Sequence, residues 1–286
     1  MPNPLSGRVP GGLGAGTTTR ERTLLPYPQY QGVTVSSPLL GNYTSHQLQL
    51  TVKRNFKSGL FVNFAFTGGK KMSDSNVSPT NDFGFEATGE SGFQDGYFNR
   101  KLNRSIDPND VSKRLAVTLL YELPFVKGKR LLSRMAGGWQ VNSIGIMQTG
   151  LPLIFRGANN FVSDRPDSTG TSAKIDNPTR AQWFETNAFI NPVEFFLGNV
   201  GRTLPDVRTP GTMNWDLSLL KNTRIQERFN LQFRAEAFNF LNTVNWGSPS
   251  ASFSPGPDGK NITATFGAIF SARDARVVQM GLKLLF

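Results

Sequence analysis

The sequence predicts an all-β chain: an antiparallel transmembrane β-barrel segment of about seven or eight strands with long extracellular loops. Three observations predict it. Apolar and polar residues alternate with period two in one segment after another, which is the signature of strands with two unlike faces. The connections between those segments alternate between short and long. Composition agrees, because 29 Gly and 18 Pro with only 18% charged residues suit strands and extended turns.

Each strand is readable in order. Leu48, Leu50 and Val52 alternate with Gln47, Gln49, Thr51 and Lys53. Leu60, Val62, Phe64 and Phe66 share one face opposite Asn63, Ala65 and Thr67, with Phe61 the one apolar exception. The link Asn55–Gly59 makes these two a hairpin. From Arg114 to Leu123, Leu115, Val117, Leu119, Tyr121 and Leu123 oppose Arg114, Ala116, Thr118 and Glu122, with Leu120 breaking the polar face. Trp139–Gln148 alternates less cleanly. Met213, Trp215, Leu217 and Leu219 then oppose Asn214, Asp216 and Ser218, and a turn is expected at Thr223–Gln226. Phe229, Leu231, Phe233, Ala235 and Ala237 follow, opposite Arg228, Asn230, Gln232, Arg234 and Glu236. The last strand places Val278, Met280, Leu282, Leu284 and Phe286 against Gln279, Gly281 and Lys283. Val33 and Val35 mark a weaker eighth candidate.

Short links are expected near 55–59, 124–137 and 223–227, and long polar ones near 69–112, 150–211 and 241–274. Compact soluble domains seldom carry several structureless loops of that length. Transmembrane barrels do so routinely, with short periplasmic turns, long extracellular loops, lipid-facing apolar residues and a polar lumen. A soluble sandwich or lipocalin-like barrel would show the same alternation with the apolar face turned inward. Against that reading stand charged residues on the face opposite a Phe/Leu row; a one-residue slip would carry those charges into lipid at roughly 2–4 kcal/mol each.

Function classes are bounded by the same inventory. With no cysteine and a single histidine, His46, thiol nucleophiles and His- or Cys-based metal sites fall away. No catalytic residue, cofactor or metal is expected. The acidic residues Asp74, Asp82, Glu86, Glu90 and Asp95 match no calcium-loop spacing. A formal charge of +11 points to an anionic neighbour, and its scatter through loops and strand ends argues against nucleic acid. No run of eighteen uncharged apolar residues marks a transmembrane helix. Met1–Arg20 lacks the apolar stretch of a signal peptide.

RFNLQFRAEAFNFLNTVNWGSPS (228–250) and TFGAIFSARDARVVQMGLKLLF (265–286) resemble the end of TonB-dependent outer-membrane receptors of the Oar-like, carboxypeptidase-regulatory-domain-containing group. Upstream, TSHQLQLTVKRNFKSGLFVNFAFTGGKKMSD, VSKRLAVTLLYELPF, GGWQVNSIGIMQTGLPL and WDLSLLKNTRI resemble successive strands of the same barrel. The resemblance implies a 22-stranded, plugged barrel in the cell outer membrane that imports bulky substrates with energy relayed by TonB. No plug or TonB-contacting box is recognisable, so the chain is expected to be the C-terminal part of such a barrel. Residues 1–25 would be an irregular segment and 26–286 the barrel portion. TonB would act only through the missing plug.

Site residues follow from these readings. Leu60, Val62, Phe64, Phe66, Phe229, Leu231 and Phe233 are expected to face lipid, and Arg228, Arg234, Glu236 and Lys283 the lumen. Resemblance to outer-membrane barrels in general implies that Met280, Leu282, Leu284 and Phe286 form the signal read by the barrel-assembly machinery. The basic charge would meet lipopolysaccharide phosphates at the membrane surface.

Overall fold

A computed structural model describes residues 1–10, 14–24, 27–28, 30, 41–74, 99–124, 137–155, 157–158, 165–194, 196–226 and 229–286. Seven long strands form one antiparallel sheet in chain order: β1 (Tyr43–Asn55), β2 (Leu60–Ser73), β4 (Lys113–Glu122), β5 (Trp139–Gln148), β8 (Thr212–Gln226), β9 (Phe229–Phe238) and β10 (Val277–Leu285). The short β3 (Ser105–Ile106) pairs with the end of β2, and β6 (Asp167–Ser168) pairs with β7 (Phe189–Ile190) apart from the sheet. Among the described residues the sheet is open, with β1 and β10 at its edges. Val33 and Val35 lie outside the described residues. The segment expected to be irregular holds a closed loop, with Asn3 Nδ2 donating to the Ala15 carbonyl, and a short helix Arg20–Leu24.

Strand register follows the sequence pattern. Phe66 pairs with Leu50 and Leu115, Phe64 with Val52 and Val117, and Leu231 with Leu284, so the apolar residues fall on one side of the sheet. Gln49, Thr67, Arg114, Gln148 and Thr212 pair in sequence across five strands on the other side. At Gly145 the backbone meets a full ring: a Cβ there would lie 2.6 Å from Trp215 on the partner strand, so glycine lets the indole lie flat over β5.

Two expectations about the connections need correction. Thr223–Gln226 is strand, not turn: Thr223 pairs with Leu231 and Arg224 with Asn230, with an irregularity before Gln226 pairs with Phe229. The ladder runs on by backbone pairing past the last apolar pair, with Ile225 at the irregularity. Residues 69–73, expected to open a long loop, continue β2 and pair with Tyr43–Gln47. Their Gly-Lys-Lys-Met-Ser sequence carries no apolar alternation, so period-two reading stopped short of a strand end that projects beyond the apolar band.

The long connections lie together at one end of the sheet and the short ones at the other, as strict up-and-down order demands. Instead of being structureless, those after β5 and β9 share a buried core of Leu153, Phe155, Phe184, Phe189, Val200, Val207, Phe253 and Phe266. Phe155 stacks on Phe189 with centroids 4.4 Å apart and meets Phe184 edge-on at 4.9 Å. Each such pair adds about 0.5–1.5 kcal/mol beyond burial. The cap has an apolar interior, while the sheet keeps two broad faces.

Candidate functional site

The candidate site begins with what holds the cap to the sheet. Three arginines from the 149–211 connection reach back to the segment between β2 and β4. Arg202, wholly buried, donates through Nε to the Asn103 carbonyl and through a terminal nitrogen to the Ser73 carbonyl and hydroxyl. Arg165 donates to the carbonyls of Leu102 and Val200. Arg208 donates to the carbonyls of Asp110 and Gly150 and pairs with the Asp110 carboxylate at 2.6 Å. Guanidinium suits this role because its planar fork satisfies several carbonyls at once. Burial holds the Arg202 pKa below its usual value, against the smaller opposing pull of the Asp107 and Asp74 charges.

A second tie is amide-based. Asn245 accepts from the Met213 amide through Oδ1 and donates to the Met213 carbonyl through Nδ2, so one side chain imitates a strand partner. Asn239 and Asn242 adopt left-handed backbone (φ 49° and 51°), which asparagine tolerates better than most residues. Asn239 donates its backbone N–H to Asp216 Oδ1 and its side chain to the Thr243 carbonyl. The turn after β9 is thereby locked to β8.

Between this cap and the polar side of the sheet lies a cleft of about 1160 Å³. Arg114, Gln148 and Asn214 line it from the strands, and Trp246, Arg273 and Asp274 from the cap. A shallower cleft of about 790 Å³ opens beside it against Phe66, Leu115 and Met147, and Arg114 borders both. The first arrangement can hold an extended polar ligand against a fixed wall, since a cap with its own core and buried ties is pre-organised. Among the described residues no group of three or more His, Asp or Glu side chains could hold a metal ion.

The residues singled out from the sequence fall on two sides of the sheet. Leu60, Val62, Phe64, Phe66, Leu231 and Phe233 share the apolar side by register, together with Met280, Leu282 and Leu284. Phe229 keeps that parity at the start of β9, paired with Gln226. Phe286 lies just past β10, 96% exposed. Arg234, Glu236 and Lys283 lie on the polar side; Arg228 is outside the described residues. Glu236 is a junction there: Arg234 pairs with it at 3.4 Å, Gln279 donates to it at 2.6 Å and Ser218 at 3.4 Å. Of the acidic residues, Asp74 receives Arg100 at 3.0 Å, and Asp82, Glu86, Glu90 and Asp95 lie outside the described residues. Sequence reading missed Arg165, Arg202 and Arg208, whose partners are distant in the chain and which no local spacing announces, and it placed Arg114 on a polar strand face without marking it as part of a site.

The model of a family described as an outer membrane beta barrel domain matches residues 2–279. No curated protein matches the chain.

Proposed function

Because the chain belongs to the outer membrane beta barrel domain family, it resides in the cell outer membrane, and we propose that it is the barrel segment of a TonB-dependent receptor that takes up a bulky substrate. The observation that carries this reading is the pre-organised cap at one end of the sheet, overhanging a cleft that opens on the polar face. A barrel serving only as a scaffold has no need of a recognition wall of that size. In this reading the row through Leu60, Phe64, Leu231 and Phe233 meets acyl chains, and Arg234, Glu236 and Lys283 meet lumen water or a plug. Cationic loops meet lipopolysaccharide phosphates, and Met280, Leu282, Leu284 and Phe286 carry the assembly signal to the insertion machinery by strand addition. Binding and passage, without bond chemistry, are the proposed activity.

A growth screen on single nutrient sources tests the transport step. Deleting this gene and deleting TonB should fail on a shared medium. A deletion strain that grows like its parent on every medium where the TonB strain fails would remove the receptor reading, leaving a structural or adhesive barrel. That self-standing alternative needs an odd number of strands beyond the seven long ones described, because antiparallel closure takes an even total.

A further inference from the structure

We propose that Arg114 is the specificity-determining group of the cleft and that it docks an oxyanion, a carboxylate or a phosphate, on the incoming ligand; this rests on the receptor reading above. Arg114 stands in a row formed by five adjacent strands, Gln49–Thr67–Arg114–Gln148–Thr212, in which each residue is the direct partner of the next. Its four row neighbours are neutral, and each offers a hydrogen-bonding side chain. Arg114 is exposed, and its guanidinium has no hydrogen-bond or ion-pair partner among the described residues.

The contrast with the other arginines of the site gives this meaning. Arg202, Arg165 and Arg208 are committed to carbonyls or to Asp110, and Arg234 to Glu236. Arg114 borders both clefts under the cap, where a ligand entering from the loop end first reaches the sheet. The strand-borne acid of the larger cleft does not neutralise it. Asp216 is two strands away and four residues farther down, roughly 16 Å by strand spacing, beyond the screening length of physiological salt, about 8 Å. Asp216 Oδ1 is moreover occupied by Asn214 and the Asn239 amide. Asp274 is accompanied by its sequence neighbour Arg273, which also lines the cleft. A free planar fork flanked by amide and hydroxyl groups is built for bidentate oxyanion recognition, with Gln148 and Thr212 completing the bonds.

The test uses the full chain folded in detergent micelles at low ionic strength, titrated calorimetrically with citrate, inorganic phosphate and neutral maltose. Citrate or phosphate should bind saturably and maltose should not; the tighter of the two anions names the source of the oxyanion. Arg114→Gln should weaken the preferred anion at least tenfold, Arg114→Lys several-fold through loss of the fork, and Arg234→Gln not at all. Should Arg114→Gln fail to fold, Arg114→Lys against Arg234→Gln decides. Equal affinity in wild type and the Arg114 variants, or no preference for anions over maltose, overturns the proposal. Outer-membrane fractionation and the nutrient screen are read independently of ligand. A chain that fractionates and supports TonB-linked growth but ignores anions therefore sinks only this inference.

Discussion

Asp74, the first residue after β2, shows how one carboxylate fastens a loop to a strand end. Burial by itself would raise its pKa. The Asn42 side chain and backbone, donating at 3.0 and 2.6 Å, and the Arg100 guanidinium at 3.0 Å outweigh that effect and hold the carboxyl below its usual value of 3.8. A carboxylate with a depressed folded pKa contributes stability that is fully present above the unfolded value and is lost as pH falls through the folded one. The tie between Asn42, Asp74 and Arg100 should therefore stay intact from neutral pH down to about pH 4 and loosen below it. Limited proteolysis of the folded chain with an acid protease, at pH 5 and near pH 3, checks this. The segment after β2 should become more readily cut at the lower pH in wild type, whereas Asp74→Asn should be equally susceptible at both. No difference in wild type would mean that the three groups are bystanders.

At the scale of the element, β9 separates the two faces most cleanly. Leu231 pairs with Thr223 and Leu284 on the apolar side, and Gln232 pairs with Asn222 and Lys283 on the polar side. Leu231→Arg should cost about 2–4 kcal/mol if that side meets the hydrocarbon midplane, and Gln232→Arg less than about 1 kcal/mol. Equilibrium refolding from urea into bilayers measures both, and equal penalties would show that the faces do not meet different media. That asymmetry is why the strands were legible. Alternation is a rule between residues two apart, and the long strands obey it across their apolar bands except β5, where Ile144 and Ile146 fall on the polar side. The ends escaped because Gly68–Lys71 and Thr223–Gln226 pair through backbone without an apolar face to mark them. The cap escaped for a different reason: Phe155, Phe184, Phe189, Phe253 and Phe266 follow no period, and Arg202 reaches Ser73 across 129 positions. Contacts of that span are written in three dimensions only.

The whole sheet carries a stagger that no single strand reveals. Following direct partners from Asn55, the last residue of β1, leads through Phe61, Leu120, Asn142, Ser218 and Glu236 to Gln279, the third residue of β10. The loop-side end of the sheet thus slides by roughly ten residues over six strand spacings, about 34 Å along against 29 Å across. The implied slant of roughly 50° is close to the tilt that barrel closure requires. Direction adds a constraint. β1 and β10 both start at the loop end, so joining them within one chain would need a parallel pair, and copies inserted in the same orientation meet the same obstacle. Antiparallel completion of this sheet therefore takes an odd number of further strands, whether from residues outside the described ones or from another polypeptide. The absence of cysteine from the sequence makes this directly measurable. Gln279→Cys combined in turn with Gln47→Cys, Gln49→Cys, Thr51→Cys or Lys53→Cys should give no disulfide within the membrane-inserted chain and none between copies under mild oxidation. Gln279→Cys with Glu236→Cys, direct partners on β10 and β9, should cross-link readily as the positive control. A bridge from β10 to any of the four β1 positions would mean that the strands close on themselves in parallel, and the requirement for further strands would fall with it.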